Sequence, residues 1–188
     1  MAIKTIPNDI VAEQSVLGAM FLSPLAIEKA TDKLFAKSFY LEKHGIIFQA
    51  IVNLHDKKIP IDLTTITSEL TQTNKFNEVG GIEYLTELMN TVPTAANVEY
   101  YIQIVEDNYM LRSVIDTSTD IATLAYGHNG EVSDILDQVE SKIVGIIRNR
   151  RSSEFKSIQE VLNEVQVNLE KLASSKGDVT GIPTGWYE

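Results

Sequence analysis

The sequence predicts an all-α fold: a compact multi-helix N-terminal domain, then a long helical hairpin, then a separate amphipathic linker helix. Three observations carry this. Apolar residues recur at helical rather than alternating spacing along most of the 188-residue chain. Residues 97–126 contain neither Pro nor Gly. Turn formers gather at a few points, chiefly 80–81, 127–130 and 174–185.

The first helix is expected from Asp9 to Phe21, where Ile10, Val11, Val16, Leu17, Met20 and Phe21 follow the helical period. Ser23-Pro24 restarts a second helix, with serine as cap and proline at the first helical position, carrying Leu25, Ile27, Ala30 and Leu34. The segment 38–40 interrupts the pattern. A third helix then carries Ile46, Ile47, Ala50, Ile51 and Leu54 and ends near Asp56-Lys57-Lys58. Asp62 is a good cap for a fourth helix over Leu63 to Thr71, and Ile82, Leu85, Leu88 and Met89 form the apolar stripe of a fifth after Gly80-Gly81. Residues 1–96 are thus the compact subdomain.

One long helix follows from Asn97 to about Tyr126, with Tyr101, Ile104, Val105, Tyr109, Leu111 and Ile115 at helical spacing. After the turn at Gly127-His128-Asn129-Gly130, Val132, Ile135, Leu136, Val139, Ile143, Ile146 and Ile147 make a second stripe, so 97–150 reads as an antiparallel hairpin. The polar run Arg148 to Lys156 reads as a hinge. The last helix places Ile158, Val161, Leu162, Val165, Leu169 and Leu172 at i, i+3, i+4, i+7, i+11 and i+14, a one-sided seam that requires a partner surface. Hinge and linker helix span 151–176, and 177–188 are expected to be irregular.

Composition narrows the function. The net charge is −10, spread over all three regions, which disfavours strong direct binding to nucleic acid. No apolar run approaches the roughly 18 residues of a membrane span. Zero cysteines exclude disulfides and thiolate chemistry and fit a reducing, cytoplasmic setting. No phosphate loop of the G-x-x-x-x-G-K-[ST] kind occurs. His44 and His55, 11 residues apart, lie roughly 16 Å apart along a helix, too far to share a metal. The acidic pairs Asp9/Glu13 and Glu83/Glu87 sit one turn apart, which suits a solvated helix face better than acid–base catalysis. Tyr100, Tyr101 and Tyr109 are flanked by acids and are expected to pack rather than stack on bases. No catalytic, cofactor or metal residue is nominated, and the chain is expected to be an interaction module rather than an enzyme.

Eight short pieces in one order then carry a resemblance. They are Ile10-Val-Ala-Glu-Gln-Ser-Val-Leu-Gly18, Ser38-Phe39-Tyr40, His44 with Ile47-Phe48, Pro60-Ile61-Asp62, Val79-Gly80-Gly81 with Tyr84-Leu85, Val92-Pro93-Thr94 with Asn97, Tyr101 with Ile104-Val105, and Thr180-Gly-Ile-Pro-Thr-Gly185. In this order the chain resembles the N-terminal domain and linker of bacterial DnaB-type replicative DNA helicases. The last piece is similar to the family's lead-in to its RecA-like motor domain, so 177–188 are expected to be the start of that domain and the chain the front part of a longer protein. Trp186 stands where the family more often has Phe or Tyr.

The resemblance implies a collar of a hexameric ring, with ATP and Mg²⁺ used by the motor domain and no cofactor held here. It implies self-association as a dimer, trimer of dimers or hexamer, docking of the primase helicase-binding domain, contact with the motor domain of a neighbouring subunit, and action of helicase loaders on the family. Leu111, Ile115, Ile135, Val139 and Ile143 are the candidates for hairpin packing and pairing. Ile158, Val161, Leu162, Val165 and Leu169 are those for linker docking. The alternative is a stand-alone dimeric helical scaffold or an inhibitor that binds a helicase ring.

Overall fold

The computed structural model describes residues 5–127 and 131–152, and from 147 onward only the backbone. Seven α-helices account for most of them: α1 Ile10–Leu22, α2 Pro24–Lys33, α3 Glu42–Asp56, α4 Leu63–Gln72, α5 Gly81–Met89, α6 Val98–Tyr126 and α7 Val132–Ser152. A single 3₁₀ turn, Ala36–Ser38, lies between α2 and α3. No strand occurs among the described residues.

Local chemistry explains the helix starts. Asp9 caps α1 by accepting from Ala12 N–H at 2.9 Å, and Asp62 caps α4 by accepting from Thr64 and Thr65 N–H. The Thr65 hydroxyl accepts in return from Asp62 N–H, closing a capping box. These bonds, that of Thr65 N–H first, hold the Asp62 carboxyl below the usual carboxylate range. Ser23 precedes Pro24 at the start of α2, but its side chain makes no capping bond. Gly80 and Gly81 both have positive φ, 96° and 65°, a region that favours glycine.

Helix α1 is the centre of the body, packed against α2, α3, α5 and α6. Val16, Leu17, Ala19 and Met20 are buried, and they join Ile27, Ile47, Ile51, Ile66, Leu70, Leu85 and Leu88 in one core. A Cβ on Gly18 would come 2.6 Å from the Leu88 carbonyl oxygen, so glycine there lets α5 approach the α1 backbone. The expected stripe of α5 is only partly buried: Leu85 and Leu88 are enclosed, whereas Ile82, a turn earlier, is 53% exposed. Leu25 on α2 and Val11 on α1 are likewise exposed.

Two expected boundaries shift. The first turns of α6 belong to the body, because Val98, Ile102 and Val105 are buried in the same core. One helix of 29 residues, about 43 Å long, is therefore both core element and hairpin stem. Residues 148–152, the start of the run read as a hinge, are helical, since α7 extends to Ser152. A polar run does not end a helix by itself; arginine is a good helix former, and neither Pro nor Gly intervenes. Residues 153–188, with the expected linker helix, lie outside the described residues.

Glu69 of α4 is buried against α3, where its carboxylate accepts from Lys57 Nζ at 2.9 and 3.2 Å and from Asn53 Nδ2 at 3.2 Å. The hydrogen bond from Lys57 is the largest cause that holds its carboxyl below the usual range, followed by that from Asn53. A carboxyl depressed in the folded state stabilises the fold above its unfolded pKa, and that stability disappears as pH falls through the lowered folded value. Urea midpoints measured from about pH 6 downward should therefore fall on acidification, and less so in Lys57→Met. A slope unchanged by Lys57→Met would remove this account.

Two glycines should respond in opposite ways to alanine. A Cβ on Gly45 would overlap the Ala36 carbonyl, so Gly45→Ala is expected to cost about 1–3 kcal/mol. At Gly145 in α7 an added Cβ meets nothing within 4 Å among the described residues, and Gly145→Ala should stabilise by about 0.5–1 kcal/mol. Equilibrium urea unfolding checks both signs.

Candidate assembly site

A helical hairpin rises from the body, and a buried polar network lies beneath its base. His44 and Glu13 are almost fully enclosed in the core. His44 Nδ1 lies 2.6 Å from Glu13 Oε2, and His44 Nε2 lies 2.6 Å from the Tyr84 hydroxyl. Gln14 Nε2 donates to that hydroxyl at 3.2 Å. Glu13 also accepts from Tyr40 N–H at 2.6 Å and from Leu41 N–H at 3.4 Å. With the ring proton on Nδ1 every bond in the chain has a donor and an acceptor: Gln14 donates to Tyr84, Tyr84 to His44, and His44 to Glu13. Lys43 Nζ covers the Tyr84 ring at 3.4 Å from its centroid.

Carboxylate, imidazole and hydroxyl in line resemble a catalytic triad, but their task here is packing. His44 has no exposed surface, and each ring nitrogen is already engaged. The network ties α1, the segment leading into α3, α3 itself and α5. Reading the histidines as surface or core residues agrees with His44; the reading of Asp9 and Glu13 as one solvated pair does not. Asp9 is spent on the α1 cap, and Glu13 is buried one turn later. Spacing gave no sign of this, because Glu13 and His44 are 31 residues apart. Glu83 and Glu87 are exposed on α5. Among the described residues no group of three His, Asp or Glu side chains is placed to hold a metal.

Arg112 joins α6 to the body. Its Nη1 donates to the Pro7 carbonyl at 2.8 Å and its Nη2 to the Ser38 carbonyl at 2.6 Å. Burial pulls the guanidinium below the usual arginine range, opposed chiefly by the Glu13 charge. Tyr109, one of the clustered tyrosines, packs edge-on against Phe35, whereas Tyr100 is 70% exposed.

The hairpin candidates fall on two different faces. On α7 the half-buried residues Ile135, Val139 and Ile146 recur at i, i+4 and i+11; on α6 the half-buried Met110, Thr117, Ile121 and Leu124 fall at i, i+7, i+11 and i+14, so each set marks the side its helix turns to the other. Leu111 and Ile115 on α6 and Ile143 on α7 are exposed, as are Val132 and Leu136. Each exposed stripe is displaced by one residue from its own seam, so it is turned by about 100° in the same rotational sense. On antiparallel helices that brings both stripes to one side. The hairpin therefore presents one side that is the more apolar, with Leu111, Ile115 and Ile143 toward its base and Val132 and Leu136 toward its tip.

The opposite side of the stem is more polar. A cleft of about 350 Å³ there is lined by Met110, Ser113, Asp116, Thr117, Lys142, Gly145 and Ile146. Lys142 pairs with Asp120 at 2.9 Å. Between residues 116 and 140 the hairpin carries Asp116, Asp120, Glu131, Asp134, Asp137 and Glu140 and no Lys or Arg, which opposes contact with a phosphate backbone. Ile158, Val161, Leu162, Val165 and Leu169 lie outside the described residues.

A profile described as the DnaB-like helicase N terminal domain matches residues 5–107, from the segment before α1 into α6. The chain belongs to the DnaB-like helicase N-terminal domain family. Among full-length relatives, a replicative DNA helicase named DnaC from Bacillus subtilis is 46% identical over 182 residues, and DnaB of Geobacillus stearothermophilus is 43% identical over 182. Each match covers 97% of this chain and 40% of the relative, so the chain spans about two fifths of their length. The crystal structure of the N-terminal domain of DnaB helicase from Mycobacterium tuberculosis aligns with a TM-score of 0.72 at 34% identity, covering 75% of this chain and 99% of that one. A DnaB-like replicative helicase, described together with its interactions with primase, aligns over 95% of this chain and 38% of its own at 25% identity, with a TM-score of 0.67. The all-α architecture is thus that of DnaB N-terminal domains, and Glu13, Tyr40, His44 and Tyr84, which stand in the pieces that carried the resemblance, converge in one buried network of this domain.

Breaking that network should cost more than trimming it. His44→Ala leaves the buried Glu13 carboxyl short of a donor and opens a ring-sized cavity, an expected loss of about 3–5 kcal/mol. Tyr84→Phe removes two neutral hydrogen bonds, one to His44 and one from Gln14, and should cost about 1–2 kcal/mol. Urea unfolding of both variants checks the order, and equal losses would contradict it.

Proposed function

We propose that this chain is the N-terminal collar and linker of a hexameric replicative DNA helicase, serving subunit assembly and partner docking. The observation that carries the reading is the exposed apolar face of the hairpin. Its five large side chains lie on a single side of two helices, three toward the base and two toward the tip, and exposed apolar side chains gathered on one side mark an interaction surface. A second copy of the chain is the occupant proposed, giving dimers that assemble further into a trimer of dimers. Family membership supports this.

On this reading ATP and Mg²⁺ belong to the part of the relatives that this chain does not span, and unwinding is done there. The sequence has no phosphate loop and the described residues no metal cluster, so no step of that chemistry is placed here. The primase helicase-binding domain is proposed as a docking partner, with a helicase loader as a further one. The seam Ile158, Val161, Leu162, Val165 and Leu169 is proposed to dock on the motor domain of a neighbouring subunit. A cytoplasmic setting goes with this role; no helix among the described residues is long and apolar enough to cross a membrane.

The test is the solution mass of the chain across concentration, by light scattering or sedimentation. A dimer or larger assembly is expected, converted to monomer by Ile115→Asp or Leu136→Asp with the unfolding midpoint kept. Val139→Asp should instead destabilise the hairpin, because Val139 lies in the seam rather than on the outer face. A monomer at every concentration would overturn hairpin pairing.

A further inference from the structure

Segment 35–41 holds the 3₁₀ turn between α2 and α3, and it faces α6 beyond Val105, the last residue of that helix buried in the core. The Phe35 ring meets Tyr109 edge-on with centroids 5.0 Å apart. The Ser38 carbonyl accepts from Arg112, and the Tyr40 ring lies 5.8 Å from the centre of the guanidinium. From the other side, Glu13 accepts the N–H groups of Tyr40 and Leu41, and Ala36 lies against Gly45 with no room for a side chain. The segment is held between the buried carboxylate and the hairpin stem. Among the described residues no hydrogen bond or ion pair joins α6 beyond Arg112 to any element that precedes it in the chain.

The geometry points to Arg112 as the positioning residue that sets the angle of the hairpin on the body, with Glu13 acting on that angle through segment 35–41. Three features support the assignment. Long helices bend, and α6 runs on for 14 residues after Arg112, about 21 Å, so a tilt of about 10° at the stem moves the tip by about 4 Å. Arg112 bonds two carbonyls from separate stretches, one before α1 and one before α3, and its planar fork fixes both directions at once. Glu13 makes no bond to α6, yet it holds the backbone at Tyr40 whose ring and near neighbour Ser38 meet Arg112. A change anywhere along this line shifts the attitude of the apolar face without touching the face itself.

The chain has no cysteine, so Ser68→Cys on α4 and Thr123→Cys near the end of α6, both exposed positions, supply two unique sites for spin labels. Distances are read by pulsed electron resonance on labelled chain diluted into an excess of unlabelled chain of the same variant, so that only intramolecular pairs report. One narrow distance is expected in the parent. Arg112→Gln should replace it with a broad or displaced distribution while helicity and the unfolding midpoint of the body stay near the parent values. Glu13→Gln should do the same, and the double variant should be no broader than the broader single one. Lys33→Ala, which loses a different contact with α6, at Gln103 and Glu106, should leave the distance unchanged. If Glu13→Gln does not fold, Phe35→Ala loosens the same segment at its exposed end and takes its place. An unchanged distance in folded Arg112→Gln overturns the assignment. A response in Arg112→Gln with none in Glu13→Gln or its substitute overturns the role of segment 35–41. The test does not depend on self-pairing, whose failure would show as a change in mass rather than in this distance.

Discussion

A carboxylate enclosed by a protein core must be answered by hydrogen-bond donors, and much of this structure is arranged around that demand at Glu13. Water is excluded there, so the full cost of burying the charge falls on the neighbours that replace it. Those neighbours come from three places in the chain: the backbone at Tyr40 and Leu41, the imidazole of His44, and Tyr84 and Gln14 behind it. Satisfying one group thereby fixes where the 3₁₀ segment crosses α1, how α3 enters the core, and which way α5 faces. The apolar packing around Leu17, Ile47, Leu85 and Leu88 supplies the larger driving force, but it has little direction of its own.

Much of the architecture was legible in the sequence because helix starts and helix faces are local properties. Asp9, Asp62 and Pro24 mark three starts within a residue, and the gap between α6 and α7 falls at the expected glycines. What stayed hidden is non-local. Glu13 looks like any acid in the first turn of a helix, and only the fold shows that His44 arrives beside it. The end of α7 is hidden for another reason: the charge density at Arg148 to Arg151 reads as a break, although arginines sustain a helix well. On the hairpin both apolar stripes were visible, but seam and outer face differ by a single residue of offset. Leu111 and Ile115 were therefore grouped with Ile135 and Val139, which face a different way. Comparing the two helices with each other, rather than with an ideal stripe, would have separated them.

The surface and the interior lead to one functional picture. The interior spends the polar groups of Glu13, His44 and Tyr84 on holding helices together. The surface is acidic along the distal hairpin and apolar along one of its sides, a combination that repels phosphates and invites another helical surface. Membership of the DnaB-type N-terminal domain family fits an all-α body of this kind.

That α6 passes without a break from the core into the hairpin has a consequence for how such a domain can change its length. Adding a residue between Val105 and Leu111 would leave both ends intact but rotate everything beyond it by about 100°, turning the apolar side of the hairpin away from its former direction. Gains or losses near whole turns, such as seven or eleven residues, would almost restore the facing while lengthening or shortening the reach by about 10 to 17 Å. Variation in hairpin length is thus quantised by the helical repeat, and its orientation is inherited from residues packed deep in the body rather than chosen at the tip.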